Sequence, residues 1–178
     1  MNSIKLLWVN ARRSNVRLHA ILNSNKEADL IMAQEPWFDT VSTTRSDSNP
    51  EGVEVLGTVA NPLWETFLPS FQPGERCKVA AFRRISSTSF TVTNRPDLHS
   101  NYHTLTLDVH TGIESFRIYN VYHDAHTNHE EDNESPPDHE TRWRSLEHIT
   151  GIDLDPMTPT VIGGDFNTHA RAWSPPEI

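Results

Sequence analysis

At 178 residues, with 35% hydrophobic and 22% charged side chains, the chain suits one globular domain with a sizeable core and leaves little room for two. No apolar run nears the ~20 residues of a membrane-spanning helix, the start MNSIKLLWVN lacks a signal peptide's basic and cleavage regions, and the single cysteine, Cys77, precludes an internal disulfide. A formal net charge of −9 argues against a general polyanion-binding surface, although Arg12, Arg13 and Arg17 gather near the chain start and much of the acid lies between Asp124 and Glu140.

These features predict an intracellular protein, of the nucleus or cytoplasm, and not a secreted one. In chain order, SIKLLWVN (3–10) predicts a strand. SNVRLHAILNSN (14–25) predicts a helix capped by Ser14, with Val16, Ala20 and Ile21 near helical spacing. ADLIMAQEPW (28–37) predicts a second strand, and strand, helix and strand in succession make a βαβ unit with parallel pairing. Residues 40–52, polar and rich in turn formers, predict a loop. The β-prone runs VEVLGTV, CKVAAFRR, SFTVTNR, YHTLTLDV and SFRIYNVY then predict antiparallel strands as far as Tyr122. The last two join through HTGIE, where Gly112 takes the awkward backbone angle of a hairpin. The acidic, histidine-laden stretch 123–140 predicts a mobile loop, ETRWRSLEHIT (140–150) a helix, and PTVIGG (159–164) the last strand.

Four of these strands end in residues whose polarity makes no sense as packing: Asn10 after LLWV, Gln34 and Glu35 after DLIMA, Tyr122 after RIYNV, and Asp165 with Asn167 after TVIGG. Sheets with parallel pairing gather ligand sites outside the carboxyl ends of their strands, so separate strands can deliver these groups to one edge. Carboxylates, an amide and a phenol are the hard oxygen donors and hydrogen-bonding groups of a magnesium–phosphate centre. Each residue also has a plain structural reading. Asn10 suits a turn, Glu35 a solvated loop, Tyr122 a core edge with a wet hydroxyl, and Asp165 with Asn167 an Asx turn or helix cap. Gly163 and Gly164 permit close approach of a backbone or ligand.

The segments WVNARRS (8–14), AQEPW (33–37), IYNVYHDA (118–125) and IGGDFNTHARAW (162–173) together resemble the endonuclease/exonuclease/phosphatase superfamily. QEPW combined with GDFNTHARAW is most similar to the endonuclease domains of LINE-type retrotransposons. The resemblance implies an α/β fold: a two-sheet, deoxyribonuclease-like α/β sandwich with outer helices. It implies that Glu35 holds the divalent metal, usually Mg2+ with Mn2+ as the alternative, and that Asn10 lies in the metal site or its hydrogen-bonded surroundings. Tyr122 would bind the scissile phosphate. Asp165 would orient and deprotonate the attacking water, and Asn167 would position that carboxylate and the phosphate. Arg12, His169 and Trp173 are candidates for contacting substrate.

Members of that superfamily continue past the GDFN strand into further strands, a second carboxylate and a terminal Ser-Asp-His motif, none of which follows Asp165 here. The expectation is therefore a single domain, 1–178, incomplete at its C-terminus, with the last strands of the second sheet missing, hydrolysis impaired, and association through the uncovered sheet edge. The expected function is magnesium-dependent phosphodiester hydrolysis by an endonuclease-type domain acting on DNA. Two other readings stay open. One is a phosphatase or phosphodiesterase acting on small phosphorylated substrates, which suits the acidic balance better; the other is a noncatalytic remnant.

Overall fold

Leu6–Asn10 (β1), Asn15–Ser24 (α1) and Leu30–Gln34 (β2) form the strand–helix–strand unit that the sequence predicts. The two strands run parallel, in register from Leu6–Leu30 to Asn10–Gln34. The computed structural model describes residues 3–46, 49–123, 151–152 and 154–167. Ser14 is the N-cap of α1, its hydroxyl accepting from the Arg17 amide at 3.2 Å. The helix buries Leu18 and Leu22 on one face, four residues apart. Its far end is held by two side chains: the Trp64 indole donates to the Leu22 carbonyl at 3.0 Å, and the Arg84 guanidinium donates to the carbonyls of Asn25 and Ala28. A cation at a helix C-terminus also opposes the backbone dipole there.

The expected loop over 40–52 is instead most of a two-stranded antiparallel ribbon, Phe38–Ser46 (β3) with Asn49–Thr58 (β4). The polar run TVSTTRS carries Val and three Thr, whose branched side chains favour extended backbone, so its polarity marks a solvated ribbon. A short strand that sequence patterning misses, Trp64–Phe67 (β5), pairs with Val79–Arg84 (β6), and β6 pairs antiparallel with β2. The first sheet thus has the order β1-β2-β6-β5.

The second sheet comprises Thr91–Asn94 (β7), Thr104–His110 (β8), Ser115–Tyr122 (β9) and Thr160–Asp165 (β10), in the order β10-β9-β8-β7. Its β8–β9 hairpin turns at Gly112, whose φ of 83° is costly for other residues. The last pair, β9 and β10, is parallel.

Alternation along β2 explains the layering. Ile31 and Ala33 face α1 in one core cluster, while Leu30 and Met32 face the second sheet in another. Leu105, Leu107, Val109 and Ile118 meet them from the second sheet, giving two sheets packed face to face with α1 outside the first. This is the α/β sandwich that the sequence implies. Among the described residues, no helix is long and apolar enough to cross a membrane. The loop and helix expected over 123–150 fall outside the described residues, apart from His123.

Candidate active site

Parallel pairing of β1 with β2 and of β9 with β10 brings the carboxyl ends of four strands to one rim. The Asn10 side-chain amide donates to Asp165 Oδ2 at 2.9 Å, joining the edge strands of the two sheets. The Tyr122 hydroxyl donates to Glu35 Oε1 at 2.6 Å, joining the same two sheets one strand further in. Tyr122 and Asp165 are register partners on β9 and β10, and Asn10 partners Gln34, the residue before Glu35. Four of the expected site residues therefore form one connected set.

The plain structural readings of Asn10 and of Asp165 with Asn167 hold as well, and they serve the same arrangement; Glu35 and Tyr122 instead bond each other, so neither the solvated carboxylate nor the wet hydroxyl is found. Asn10 Oδ1 accepts from the Arg12 amide at 2.8 Å, and Asp165 Oδ1 accepts from the Asn167 amide at 3.1 Å. Both are Asx-type turns that fix a side chain through one atom while the other atom reaches across the rim. Asn167 in turn donates its side-chain amide to the His123 carbonyl at 2.6 Å, and the His123 amide donates to the Asp165 carbonyl at 2.8 Å. The end of β10 is thereby bound to the end of β9.

Backbone strain is concentrated at the same rim. Among the described residues, the non-glycine positions with positive φ are Arg12 (52°), Arg13 (54°), Glu35 (45°) and Asn167 (45°). A left-handed conformation costs an ordinary residue roughly 1–2 kcal/mol, less for Asn. Such strain persists where surrounding structure over-determines it, and it clusters at functional sites. For Glu35 the physical gain is visible: the left-handed turn lifts its carboxylate out of the strand's alternation and toward Tyr122.

Beneath the rim, a buried amide pair ties the sheets together. Gln34, 3% exposed, donates to Asn120 Oδ1 at 2.5 Å, and the fully buried Asn120 donates to the carbonyls of Ala80 and Ala33 at 3.0 and 3.3 Å. These two residues flank the rim pair, Gln34 directly before Glu35 and Asn120 two residues before Tyr122. Sequence reading marks Gln34 only as a neighbour of Glu35 and misses Asn120. The signal was an amide at an inward-facing position in the apolar second half of β9, in step with Ile118 and Tyr122.

Two cations lie close by. Arg13 Nε is 3.8 Å from Glu35 Oε2, a loose and half-exposed pairing worth about 0–1 kcal/mol. The Lys78 ammonium lies 5.8 Å from the centroid of the Tyr122 ring, within cation–π range. Neither residue was a sequence candidate for the site. His169 and Trp173, which were, lie outside the described residues.

The paired glycines of β10 serve approach by the protein itself. A Cβ on Gly163 would stand 2.6 Å from the Trp8 ring, and one on Gly164 would stand 1.8 Å from the Val121 carbonyl oxygen. Gly163 leaves room for the Trp8 indole of β1 against β10, and Gly164 lets β10 close onto β9.

The donor set of the rim fits a hydrated Mg2+. Glu35, Asp165 and the Asn10 carbonyl offer oxygen atoms alone, and Mg2+ is commonly held through one or two carboxylates while it keeps several waters. Glu35 Oε2 carries no hydrogen bond among the described residues, which leaves it open to a cation. No group of three or more His, Cys, Asp or Glu side chains that could hold a metal occurs among the described residues. The one thiol is no ligand candidate: burial, reinforced by nearby Glu75, pushes Cys77 up to about 12.

The model of the Endonuclease/Exonuclease/phosphatase family matches residues 7–178. Among solved structures, the endonuclease domain of TRAS1, a telomere-specific non-LTR retrotransposon, has a similar fold, with a TM-score of 0.59 and 16% identity over 96% of this chain. The chain spans 63% of that domain's length. At this identity the likeness is one of fold. No curated protein sequence matches the chain.

Proposed function

Because the chain belongs to the endonuclease/exonuclease/phosphatase family, we propose that its rim is a magnesium-dependent phosphodiesterase site of endonuclease type acting on DNA. The observation that carries this reading is the convergence of Asn10, Glu35, Tyr122 and Asp165, from four strands, through two direct side-chain hydrogen bonds.

In this reading Asp165 takes the proton of a water whose oxygen attacks phosphorus, and the bond from phosphorus to the leaving sugar oxygen breaks as the new one forms. The leaving oxygen takes its proton from solvent. Asn10 and the Asn167 amide hold the Asp165 carboxylate in position while one of its lone pairs accepts that proton. Tyr122 transfers its hydroxyl hydrogen bond from Glu35 to a nonbridging oxygen, where charge builds in the transition state. Glu35, with the Asn10 carbonyl, would hold Mg2+ (or Mn2+), which when bound supplies charge neutralisation at the phosphate and a more acidic water. Arg12, beside this set, contacts the substrate.

A second reading, hydrolysis of small phosphorylated substrates, is favoured by the net charge of −9. Plasmid nicking compared with phosphate release from inositol phosphates and nucleotides, each with Mg2+ and with EDTA, separates the two. Nicking that EDTA abolishes supports the first; metal-dependent phosphate release without nicking supports the second; inactivity on every substrate overturns both and leaves a noncatalytic domain. Association through β10 belongs to the same proposal, since among the described residues that strand lies at a sheet edge with Val161 and Ile162 38% and 37% exposed. Sedimentation velocity that shows a concentration-independent monomer would contradict it.

A further inference from the structure

We infer that the Tyr102 ring is a stacking platform for an unpaired nucleobase beside the scissile phosphate, and that it biases the site toward single-stranded or locally opened nucleic acid. The inference rests on the phosphodiesterase reading of the rim and adds the strand state of its substrate.

Tyr102 and His103 occupy the two corner positions of a tight turn that leads into β8. Across it Asn101 and Thr104 exchange both backbone hydrogen bonds, at 2.9 and 3.0 Å, and Asn101 Oδ1 accepts from the His103 amide at 2.9 Å. Backbone bonds also tie this turn to the rim. The Lys78 amide donates to the Tyr102 carbonyl at 2.7 Å, the Lys78 carbonyl accepts from the Glu35 amide at 2.8 Å, and the Tyr122 amide donates to the His103 carbonyl at 2.9 Å. The turn is thus connected to both partners of the Tyr122–Glu35 bond. Turn corners ordinarily favour Gly, Pro, Asn, Asp or Ser, and none of the bonds that shape this one uses an aromatic side chain.

The rings form a short series that starts at the site. His103 lies parallel to Tyr122, with 6.4 Å between centroids and 3° between planes, and Tyr102 lies against His103 at 4.0 Å and 40°. Tyr102 is the outer member and is partly exposed. Every other described ring of Phe, Tyr or Trp packs into a hydrophobic cluster, apart from Phe38 and Phe71, which meet edge to face at 5.2 Å. Tyr102 belongs to no such cluster, and its hydroxyl has no hydrogen-bond partner among the described residues. Core packing accounts for the other rings and not for this one.

A nucleobase offers an aromatic face whatever its identity, and stacking on protein rings is a main source of affinity for single strands. In a closed duplex both faces of a base are covered by its neighbours, so a ring fixed at the rim meets a base only where the strand is unpaired, opened or at an end. A phosphate bound by Tyr122 brings the bases of its own strand to the same rim, where Tyr102 stands. The contact needs no cation, which suits a chain of net charge −9.

The test measures binding in EDTA by fluorescence anisotropy, with a short labelled single strand, an abasic strand of the same length, and the matching duplex. Wild type is compared with Tyr102→Phe and with Tyr102→Leu, which keeps apolar bulk without the ring, and melting temperatures are recorded for all three. Tyr102→Phe should bind the single strand as wild type does, and Tyr102→Leu on the order of 10-fold more weakly. Affinity for the abasic strand and the dependence on salt should stay at wild-type values, since no phosphate contact is removed. The platform is overturned by a Tyr102→Leu protein that binds the single strand normally, or that loses as much affinity for the abasic strand or the duplex. A lower melting temperature in Tyr102→Leu, with every ligand bound more weakly, would make Tyr102 structural and overturn it too. Adenosine 5′-monophosphate that binds wild type more tightly than the single strand, and does so through Tyr102, would overturn the strand assignment in favour of free nucleotides. Since binding is read without metal, Tyr102-dependent affinity with no metal-dependent nicking refutes the hydrolase reading alone. Metal-dependent nicking, with the same single-strand affinity in all three proteins, refutes the platform alone.

Discussion

Asn10 and Asp165 stand 155 residues apart in the chain, and their side chains meet at 2.9 Å. This bond joins the outermost strands of two different sheets at the end where both carry their polar residues. It also fixes the direction in which the Asp165 carboxylate points, because the other carboxylate oxygen is already held by the Asn167 amide. Asn10→Ala should therefore cost about 1 kcal/mol in chemical denaturation, the usual loss for a half-buried hydrogen bond. Nicking should fall by about 100-fold, since a small misplacement of a reacting group costs that much. Equal rates in mutant and wild type would separate Asn10 from the chemistry.

The Gln34–Asn120 pair is the strut below that rim. Asn120→Ala leaves the Gln34 side chain and the carbonyls of Ala33 and Ala80 buried without their partner, and a loss of about 2–4 kcal/mol is expected. In a double-mutant cycle with Gln34→Ala the two changes should be coupled by about 1 kcal/mol or more. Additive losses in denaturant titrations would show that the pair does not act as a unit.

How much of this was legible in the sequence depends on the range over which each signal acts. Asn10, Glu35, Tyr122 and Asp165 are visible because each interrupts an apolar run at a strand end, and parallel pairing makes their meeting place inferable. Asn120 is not, because its meaning lies in Gln34, 86 residues away. Arg13 was read as part of a basic cluster; its tie to Glu35 depends on a backbone turn that no local pattern announces. Residues 40–52, which include most of β3 and the start of β4, read as a loop because Ser and Thr populate both solvated strands and turns, while VEVLGTV in the rest of β4 reads as the strand it is. The pairing that decided the matter runs from Phe38–Thr58 to Ser46–Asn49.

Gly164→Ala should be the most damaging single methyl in the second sheet. Its Cβ would stand 1.8 Å from the Val121 carbonyl oxygen, a backbone atom that cannot swing aside. Overpacking of this kind costs about 1–3 kcal/mol, and here it also pushes Asp165 away from Tyr122. Thermal melting and amide hydrogen exchange along β9 and β10 would record it. A mutant with wild-type melting and protection would mean that β10 does not sit where it is described.

Acid should weaken the fold through a second cluster, on the opposite half of β8 and β9. Burial draws the Asp108 carboxyl upward, but hydrogen bonds from Arg117 and then Arg95 outweigh it, and the net shift is downward. Asp97, hydrogen-bonded to Arg95, is lowered from 3.8 to about 2. A carboxylate with a depressed folded value contributes stability that is fully present above its unfolded value and is lost as pH falls through the folded one. Unfolding free energy should therefore decline between about pH 4 and pH 2, and Asp108→Asn should make that decline shallower. The same slope in both proteins would remove Asp108 from the account.

The central claim is that Glu35 and Asp165 serve one phosphate-cleaving centre. Its most direct test is the conversion of supercoiled plasmid to open circles with Mg2+, using wild type, Glu35→Gln and Asp165→Asn, with melting temperatures taken alongside. Metal-dependent nicking by the wild type, reduced at least 100-fold in both variants at unchanged melting temperature, is the predicted result. Undiminished nicking in either variant, or nicking that persists in EDTA, would contradict it.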